Sequence, residues 1–323
     1  MALSYEFSIG SVRAKENSLF TNAEVEQMLA CKNESELIRF LNEKDYGEGN
    51  TIDAILNNHT NEMWKYIRSV TPEFGIFSPF FHQNDIHNLK ATLKGIMAQR
   101  DYDSLLLMPC TIDKDTLKTA VENRKFGILP EWLSQAADRA YETLAHTSDA
   151  KLSDAIIDKA VMQKMLDEGK KSGSDFLKKY FNTVVFYSNI KIAIRASRTG
   201  VSNDYLLQAL CEVDEFRMSA VISAAIKGYD ALLETLTKFS EYDCNKAMEE
   251  FSISPSAFEK FVDNKLMSLT KENCKRASSG AEPIMGYYLG CEAEKKVIHI
   301  IASGLRTQTP VDIIRERLRE IYG

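Results

Sequence analysis

The amino-acid sequence predicts an all-α protein. Apolar residues recur mainly at three- and four-residue steps, as in residues 23–41 and 313–321, which is the spacing of one helix face. Segments with strand-like alternation are scarce. The best strand candidate, residues 183–187, continues without a turn signal into a segment with helical spacing, so we expect it to be helical. With only 15 Gly and 7 Pro in 323 residues, a disordered or linker-dominated chain is excluded.

Composition and charge restrict the possible partners and location. Hydrophobic residues make up 44% of the chain and charged residues 27%, as in ordinary globular proteins. The net charge of −6 lacks the basic excess typical of nucleic-acid binding, so no nucleic-acid partner is expected. No window approaches 18 apolar residues, and residues 1–15 lack a signal-peptide core, so we expect a cytosolic chain without a membrane span.

Helix boundaries are predicted where Pro, Gly and Ser collect. These breaks separate helices rather than independent domains, and they lie at residues 46–50, 71–79, 169–174, 252–256 and 278–283. Ser254 before Pro255 has the pattern of an N-cap followed by a first-turn proline, and Thr309 before Pro310 has the same pattern. We therefore predict that one helix starts at Pro255 and that the last one starts near Pro310.

The chain also resembles itself at fixed offsets. Residues 85–94 match residues 186–195 at an offset of 101. The same offset pairs Asp103, Leu105, Leu106, Cys110 and Asp113 with Asp204, Leu206, Leu207, Cys211 and Asp214. An offset of 108 then pairs Arg198, Thr199, Asp204, Leu206 and Leu210 with Arg306, Thr307, Asp312, Ile314 and Leu318. We predict three helical repeats, with approximate bounds 1–108, 109–215 and 216–323.

Such repeats cannot bury their apolar stripes alone and must stack on one another. Three copies that close on themselves would form one body with a pseudo-threefold axis. Each copy would contribute a long apolar helix, a short break and a helix that starts near an Asp.

A search for chemical motifs points to no reaction. The phosphate-binding pattern GxxxxGK[ST] and a strand-associated GxGxxG are both absent, and the five histidines form no HExxH motif. The six cysteines stand singly, with no CxxC pair, so reduced thiols are expected rather than a metal site. We expect no catalytic residue, no metal and no cofactor. An enzyme with a site assembled from distant residues stays open.

The most conspicuous polar feature is a recurring Asn-x-Lys with a second basic residue four positions after the Lys. Its members are Asn88, Lys90, Lys94, Asn189, Lys191 and Arg195. The two basic residues of each copy share a helix face. They either belong to a solvated face on which Asn caps or bridges a neighbouring helix, or they line a surface that receives an acidic or polar partner helix. The second interpretation makes these six residues a candidate partner interface.

Several of these segments, in this order, resemble one known family. They are residues 85–94 (DIHNLKATLK), 105–109 (LLLMP), 189–195 (NIKIAIR), 282–294 (EPIMGYYLGCEAE) and 309–318 (TPVDIIRERL). The chain is identified by them as similar to the C subunit of archaeal and bacterial V-type (A-type) ATPases, the counterpart of the eukaryotic d subunit. Two departures from the family pattern are Phe186 in place of the Asp at 85 in the second copy, and Cys110-Thr111 after the Leu-x-Pro piece.

The resemblance implies a non-catalytic, all-helical, funnel-shaped subunit built of three similar units. It implies that the chain sits peripherally on the cytoplasmic face of the membrane, on the proteolipid rotor ring, and receives the coiled-coil foot of the central stalk. Its role would be to transmit torque between ATP turnover and H⁺ or Na⁺ transport. The alternative is a generic helical-repeat adaptor that binds a partner helix.

Overall fold

The computed structural model describes residues 4–213, 217–239 and 242–323, and the regular structure within them is helical. The α-helices, in chain order, are α1 (Tyr5–Glu16), α2 (Asn22–Leu29), α3 (Glu34–Glu43), α4 (Ile52–Val70), α5 (Ser78–Ala98), α6 (Lys114–Glu122), α7 (Glu131–Thr147), α8 (Ala150–Lys171), α9 (Asp175–Thr199), α10 (Asn203–Ala209), α11 (Met218–Lys227), α12 (Tyr229–Leu236), α13 (Cys244–Ile253), α14 (Pro255–Cys274), α15 (Glu282–Arg306) and α16 (Val311–Arg317). Short 3₁₀ helices occupy Phe74–Phe77, Asp103–Leu105 and Phe126–Ile128. None of the described helices is both long enough and apolar enough to cross a membrane.

The predicted all-α class and the predicted breaks are confirmed. Four of the five Pro-, Gly- and Ser-rich segments contain a helix end or a helix start, and the fifth, residues 46–50, lies between α3 and α4. Residues 183–187 lie inside α9, where β-branched and aromatic side chains are held in a helix by burial on several sides, so tertiary packing outweighs their strand propensity.

Both predicted helix starts are confirmed, since α14 begins at Pro255 and α16 begins at Val311, next to Pro310, but the predicted Thr309 cap is wrong. Ser254 caps α14, and its hydroxyl accepts a hydrogen bond from the backbone N–H of Ala257 at 3.0 Å. At α16 the cap position belongs to Pro310, which has an extended backbone and makes no side-chain cap. The hydroxyl of Thr309 instead hydrogen bonds the hydroxyl of Thr307 at 2.8 Å, so it is not used as a cap.

One compact unit combines the two ends of the chain, residues 4–74 and 247–323; we call it the N/C unit. Its central element is α15, which packs against α1, α3, α4, α14 and α16. Gly304 lets α16 approach α15 closely, because a methyl group there would overlap the side chain of Ile314. The core is apolar and contains Phe20, Val25, Met28, Leu29, Leu37, Leu41, Tyr46, Ile52, Ile55, Leu56, Val297, Ile298, Ile301, Ala302, Ile314 and Ile321.

The described residues of 75–246 form the second compact unit, which we call the middle unit. Its two longest helices, α8 and α9, pack against each other. Around them, α8 contacts α5, α7 and α10, while α9 contacts α10, α11 and α12. The division into three repeats, the funnel and the pseudo-threefold axis stay predictions, and Asp214, which the offset of 101 pairs with Asp113, lies outside the described residues.

A single acid is enclosed in the N/C unit. Glu294 of α15 is 1% exposed, and its Oε1 accepts a hydrogen bond from the backbone N–H of Phe20 between α1 and α2. Its Oε2 has no hydrogen-bond partner among the described residues. Burial raises the pKa of Glu294 to about 8, and the Phe20 hydrogen bond opposes this rise only in part. The side chain is therefore neutral in the folded protein at neutral pH.

This acid should make folding stability fall as pH rises. Because the folded pKa lies near 8 and the unfolded value near 4.5, only the folded state holds the proton between these pH values. The stabilisation is complete below about pH 4.5 and is lost as pH rises toward 8, by up to about 1.4 kcal/mol per pH unit. In Glu294→Gln this slope should disappear from urea denaturation measured at pH 5 to 8. The control Glu292→Gln, which removes a partly exposed acid, should keep the wild-type slope; an unchanged slope in Glu294→Gln would contradict the assignment.

Candidate functional site

The two asparagines of the recurring motif play the same structural role. Asn88 on α5 accepts a hydrogen bond from the backbone N–H of Leu107 at 2.7 Å and donates to the carbonyl of the same residue at 3.0 Å. Asn189 on α9 accepts from the N–H of Cys211 at 3.0 Å and donates to its carbonyl at 2.7 Å. Each amide thus holds both polar groups of one residue in the connection that follows its helix, and both asparagines are buried.

The bonded residues do not keep the offset of the asparagines. Asn88 and Asn189 are related by 101 positions, whereas their partners Leu107 and Cys211 lie 19 and 22 residues after them. The second connection contains the seven-residue helix α10, where the first connection has only a three-residue 3₁₀ turn. The pairing of Cys110 with Cys211 in sequence therefore does not describe the hydrogen-bonded positions.

The connection from α5 to α6, residues 99–113, is fastened along α5; we call it the α5–α6 loop. At its start, the ring of Tyr102 packs where a methyl group on Gly95 would overlap it. Further along, His87 hydrogen bonds the carbonyl of Leu105 at 2.9 Å, and Asn84 donates to the carbonyl of Pro109 at 2.8 Å. With the Asn88 pair, these contacts hold the loop over nearly its whole length.

Asp85 holds the end of the α5–α6 loop. Its carboxylate accepts hydrogen bonds from the N–H groups of Thr111 at 2.7 Å and Ile112 at 3.1 Å, and from the Thr111 hydroxyl at 2.6 Å. Asp85 is fully buried. A buried carboxylate is costly unless such donors surround it, so these contacts tie the loop to α5.

Asp85 is also paired with a buried histidine. His82 donates from Nδ1 to Asp85 at 3.1 Å and from Nε2 to Glu168 of α8 at 2.9 Å. Burial would lower the pKa of His82, but the hydrogen bonds to Asp85 and Glu168 outweigh it, and the net pKa lies above its ordinary value. Burial likewise would raise the pKa of Glu168, and its hydrogen bonds with His82 and Lys164 lower it instead. His82 thus connects α5 to α8 through its hydrogen bond to Glu168.

This bridge has a structural role rather than a chemical one. His82 is only 3% exposed and lies against the ring of Trp132, so a substrate has no access to it. Within the described part of the chain, no group of three or more His, Cys, Asp or Glu residues is placed to hold a metal ion.

The basic residues of the motif differ in their surroundings. Lys94 pairs with Asp154 at 2.6 Å and Lys90 pairs with Asp158, both on α8. On α9, Lys191 is half-buried and Arg195 is exposed. The basic residues of the first copy therefore form ion pairs inside the middle unit. Ion pairs near the surface contribute little to stability.

Asp154 and Asp158 are absent from the sequence-based site. Both pairs of partners are spaced by four residues, at 90 and 94 on α5 and at 154 and 158 on α8, so each pair shares one helix face. That matched spacing is a signal in the sequence, but it identifies partners only once α5 and α8 are known to be neighbours.

Removing either asparagine should destabilise the protein, and Asn189→Ala should cost more. Cys211 is fully buried, so its N–H and carbonyl would lose their partner without gaining water, at about 2–3 kcal/mol. Leu107 is 42% exposed, so Asn88→Ala should cost about 1 kcal/mol. Asn123→Ala, which removes one local bond at the exposed end of α6, is the control and should change stability by under about 0.5 kcal/mol. Equal values for all three variants in urea denaturation would argue against this role.

Comparison with known proteins gives the family. A family model described as ATP synthase (C/AC39) subunit matches residues 8–317. The C subunit of the A-type ATP synthase of Methanocaldococcus jannaschii is 23% identical in an alignment that covers 93% of this chain and 82% of that protein. Its counterpart in the A-type ATP synthase of Methanobrevibacter smithii is also 23% identical, over 92% of this chain and 83% of that protein. Because the family match spans nearly the whole sequence, the chain belongs to the ATP synthase (C/AC39) subunit family.

Proposed function

We propose that the chain is a non-catalytic rotor subunit of an A/V-type ATPase. In this role it lies peripherally on the cytoplasmic face of the membrane and joins the central stalk to the proteolipid ring. It transmits torque between ATP turnover and the transport of H⁺ or Na⁺. The observation that carries the proposal is the family match over residues 8–317.

The hydrogen bonding of the middle unit supports a mechanical role. A subunit that passes force between partners needs connections that do not yield, since a loop that moves under load absorbs displacement. The side chains of Asn88, Asp85 and Asn189 hold backbone groups of two connections directly onto the long helices α5 and α9. Closely packed interiors resist compression and transmit strain, which suits the same task.

The positions related by the two sequence offsets support the division into three similar repeats. Asp85, Phe186 and Glu294 fall at one register of α5, α9 and α15, and all three are buried. Asp85 and Glu294 each accept a hydrogen bond from the backbone of a connection, while Phe186 stacks on Tyr242 at 3.6 Å between ring centroids. In each predicted repeat, a buried side chain of the long helix fastens another segment to that helix.

The proposal is tested by removing the chain from the purified complex reconstituted in vesicles. ATP hydrolysis by the soluble head should continue, while ATP-driven ion transport should be lost and should return when the chain is added back. Transport that persists without the chain would overturn the coupling role. Hydrolysis of ATP by the isolated chain would overturn the non-catalytic assignment.

Of the six motif residues, Lys90, Lys94, Lys191 and Arg195 form the proposed contact with an acidic or polar stalk helix. Asn88 and Asn189 are buried and hold the backbone of the connections instead, which corrects their assignment to the interface. Replacing Lys191 and Arg195 by Glu should slow association with the stalk subunit about tenfold at low salt, because opposite charges steer encounter, and less at high salt. Surface plasmon resonance with the isolated stalk subunit measures the association rate at low salt and at high salt.

Lys94 offers a matched control for folding. Lys94→Asp combined with Asp154→Lys preserves an ion pair between α5 and α8 while it reverses the charge on α5. If Lys94 contacts the stalk, the exchanged pair should bind as weakly as Lys94→Asp alone. Recovery of binding in the exchanged pair would show that Lys94 acts only through Asp154.

A further inference from the structure

Large apolar side chains are unusually exposed on the α5–α6 loop. Leu105 is 55% exposed, Leu107 is 42% exposed and Met108 is 75% exposed. No other stretch of four residues in the described part of the chain holds three large apolar side chains this exposed. Single exposed apolar residues are normal on protein surfaces, whereas a contiguous group marks an interaction site.

The exposure belongs to an ordered backbone. Leu105 and Leu107 are the residues whose backbone groups are bound by His87 and Asn88, and Met108 lies between Leu107 and Pro109, which Asn84 binds. These contacts fix the backbone that carries the apolar side chains. A loop that is already ordered loses less conformational entropy on binding, so it is preorganised to dock.

The charges beside the apolar residues select the partner. Asp101, Asp103, Asp113 and Asp115 flank them and are all exposed, against two exposed basic residues, Arg100 and Lys114. An anionic lipid surface would repel this acidic rim, and a second copy of the chain would present the same charges. The charge complement is an apolar pocket with a basic rim.

We propose that the α5–α6 loop is a preformed docking element whose Leu105, Leu107 and Met108 insert into a basic-rimmed apolar pocket on another protein subunit. This inference rests on the proposed function, because that subunit belongs to the same rotary complex. The acidic rim steers the approach, and the apolar side chains hold the bound state.

The test compares incorporation of variants into the complex purified from cells that lack the wild-type chain. Leu105→Gln with Met108→Gln leaves the charge and the backbone hydrogen bonds unchanged and should reduce incorporation at least tenfold. Ile226→Gln, which alters an apolar residue of α11 that is 51% exposed, is the matched control and should incorporate as wild type does. Thermal unfolding of each free variant shows that the fold is retained.

The charge of the rim is tested separately. Asp101→Asn with Asp103→Asn removes two charges, and the new amide oxygen at 101 can still accept the hydrogen bond from the N–H of residue 103. Binding of this variant to complex depleted of the chain should be weaker at low salt and should depend less on salt than wild-type binding. Unchanged affinity and unchanged salt dependence would overturn the proposal that the partner pocket has a basic rim.

Methionine oxidation reports the contact directly. With hydrogen peroxide, Met108 should oxidise at least tenfold more slowly in the assembled complex than in the free chain, as measured by mass spectrometry. Equal oxidation rates, or normal incorporation of the double Gln variant, would overturn the docking loop while leaving the proposed function intact. Failure of the wild-type chain to enter the complex would overturn the proposed function and this inference with it.

Two alternative partners of the loop, a lipid surface and a second copy of the chain, are tested with the free protein. Binding of wild-type protein to phosphatidylglycerol vesicles that is lost in the double Gln variant would assign the loop to lipid. A dimer in analytical ultracentrifugation that is lost in the same variant would assign it to a second copy. Either result would overturn the proposed pocket.

Discussion

The structure depends on one constraint: a connection packed against a helix must find partners for its backbone N–H and carbonyl groups. In the middle unit, side chains of the long helices supply those partners. Asn88 and Asn189 do so with a neutral amide, which can donate and accept at once. Asp85 does so with a carboxylate, which only accepts and therefore takes N–H groups. The course of each connection follows from these few polar side chains.

The two units enclose their acids in different ways. In the middle unit, Asp85 is surrounded by donors and paired with His82, whose second nitrogen hydrogen bonds Glu168. In the N/C unit, Glu294 has one backbone donor, and burial raises its pKa until the neutral acid prevails. Both arrangements avoid an isolated buried charge, one by pairing and one by protonation.

The middle unit combines a firmly held loop with exposed apolar side chains, the two properties that the proposed coupling role requires. The side chains that order the α5–α6 loop come from one face of α5, and α8 lies beside that helix. The polar contacts of Asn88 and Asn84 thus hold the backbone on both sides of Met108, whose side chain is exposed. Rigid support and an exposed apolar group have the same origin, the side chains of α5.

Sequence alone determined the helical class, the helix breaks, the Ser254 cap and the recurrence of Asn88 at Asn189, because these depend on residues close together in the chain. Tertiary structure decided what the recurring residues do. Asn88 and Asn189 bond residues 19 and 22 positions later, and Lys94 pairs with Asp154, 60 positions away. The hydroxyl of Thr309 bonds that of Thr307 and does not cap α16 as predicted. Glu294 is neutral because segments distant in the sequence enclose it. Local spacing determines helices. Hydrogen-bond partners and pKa values depend on which helices pack together, and the periodicity of the sequence does not specify that.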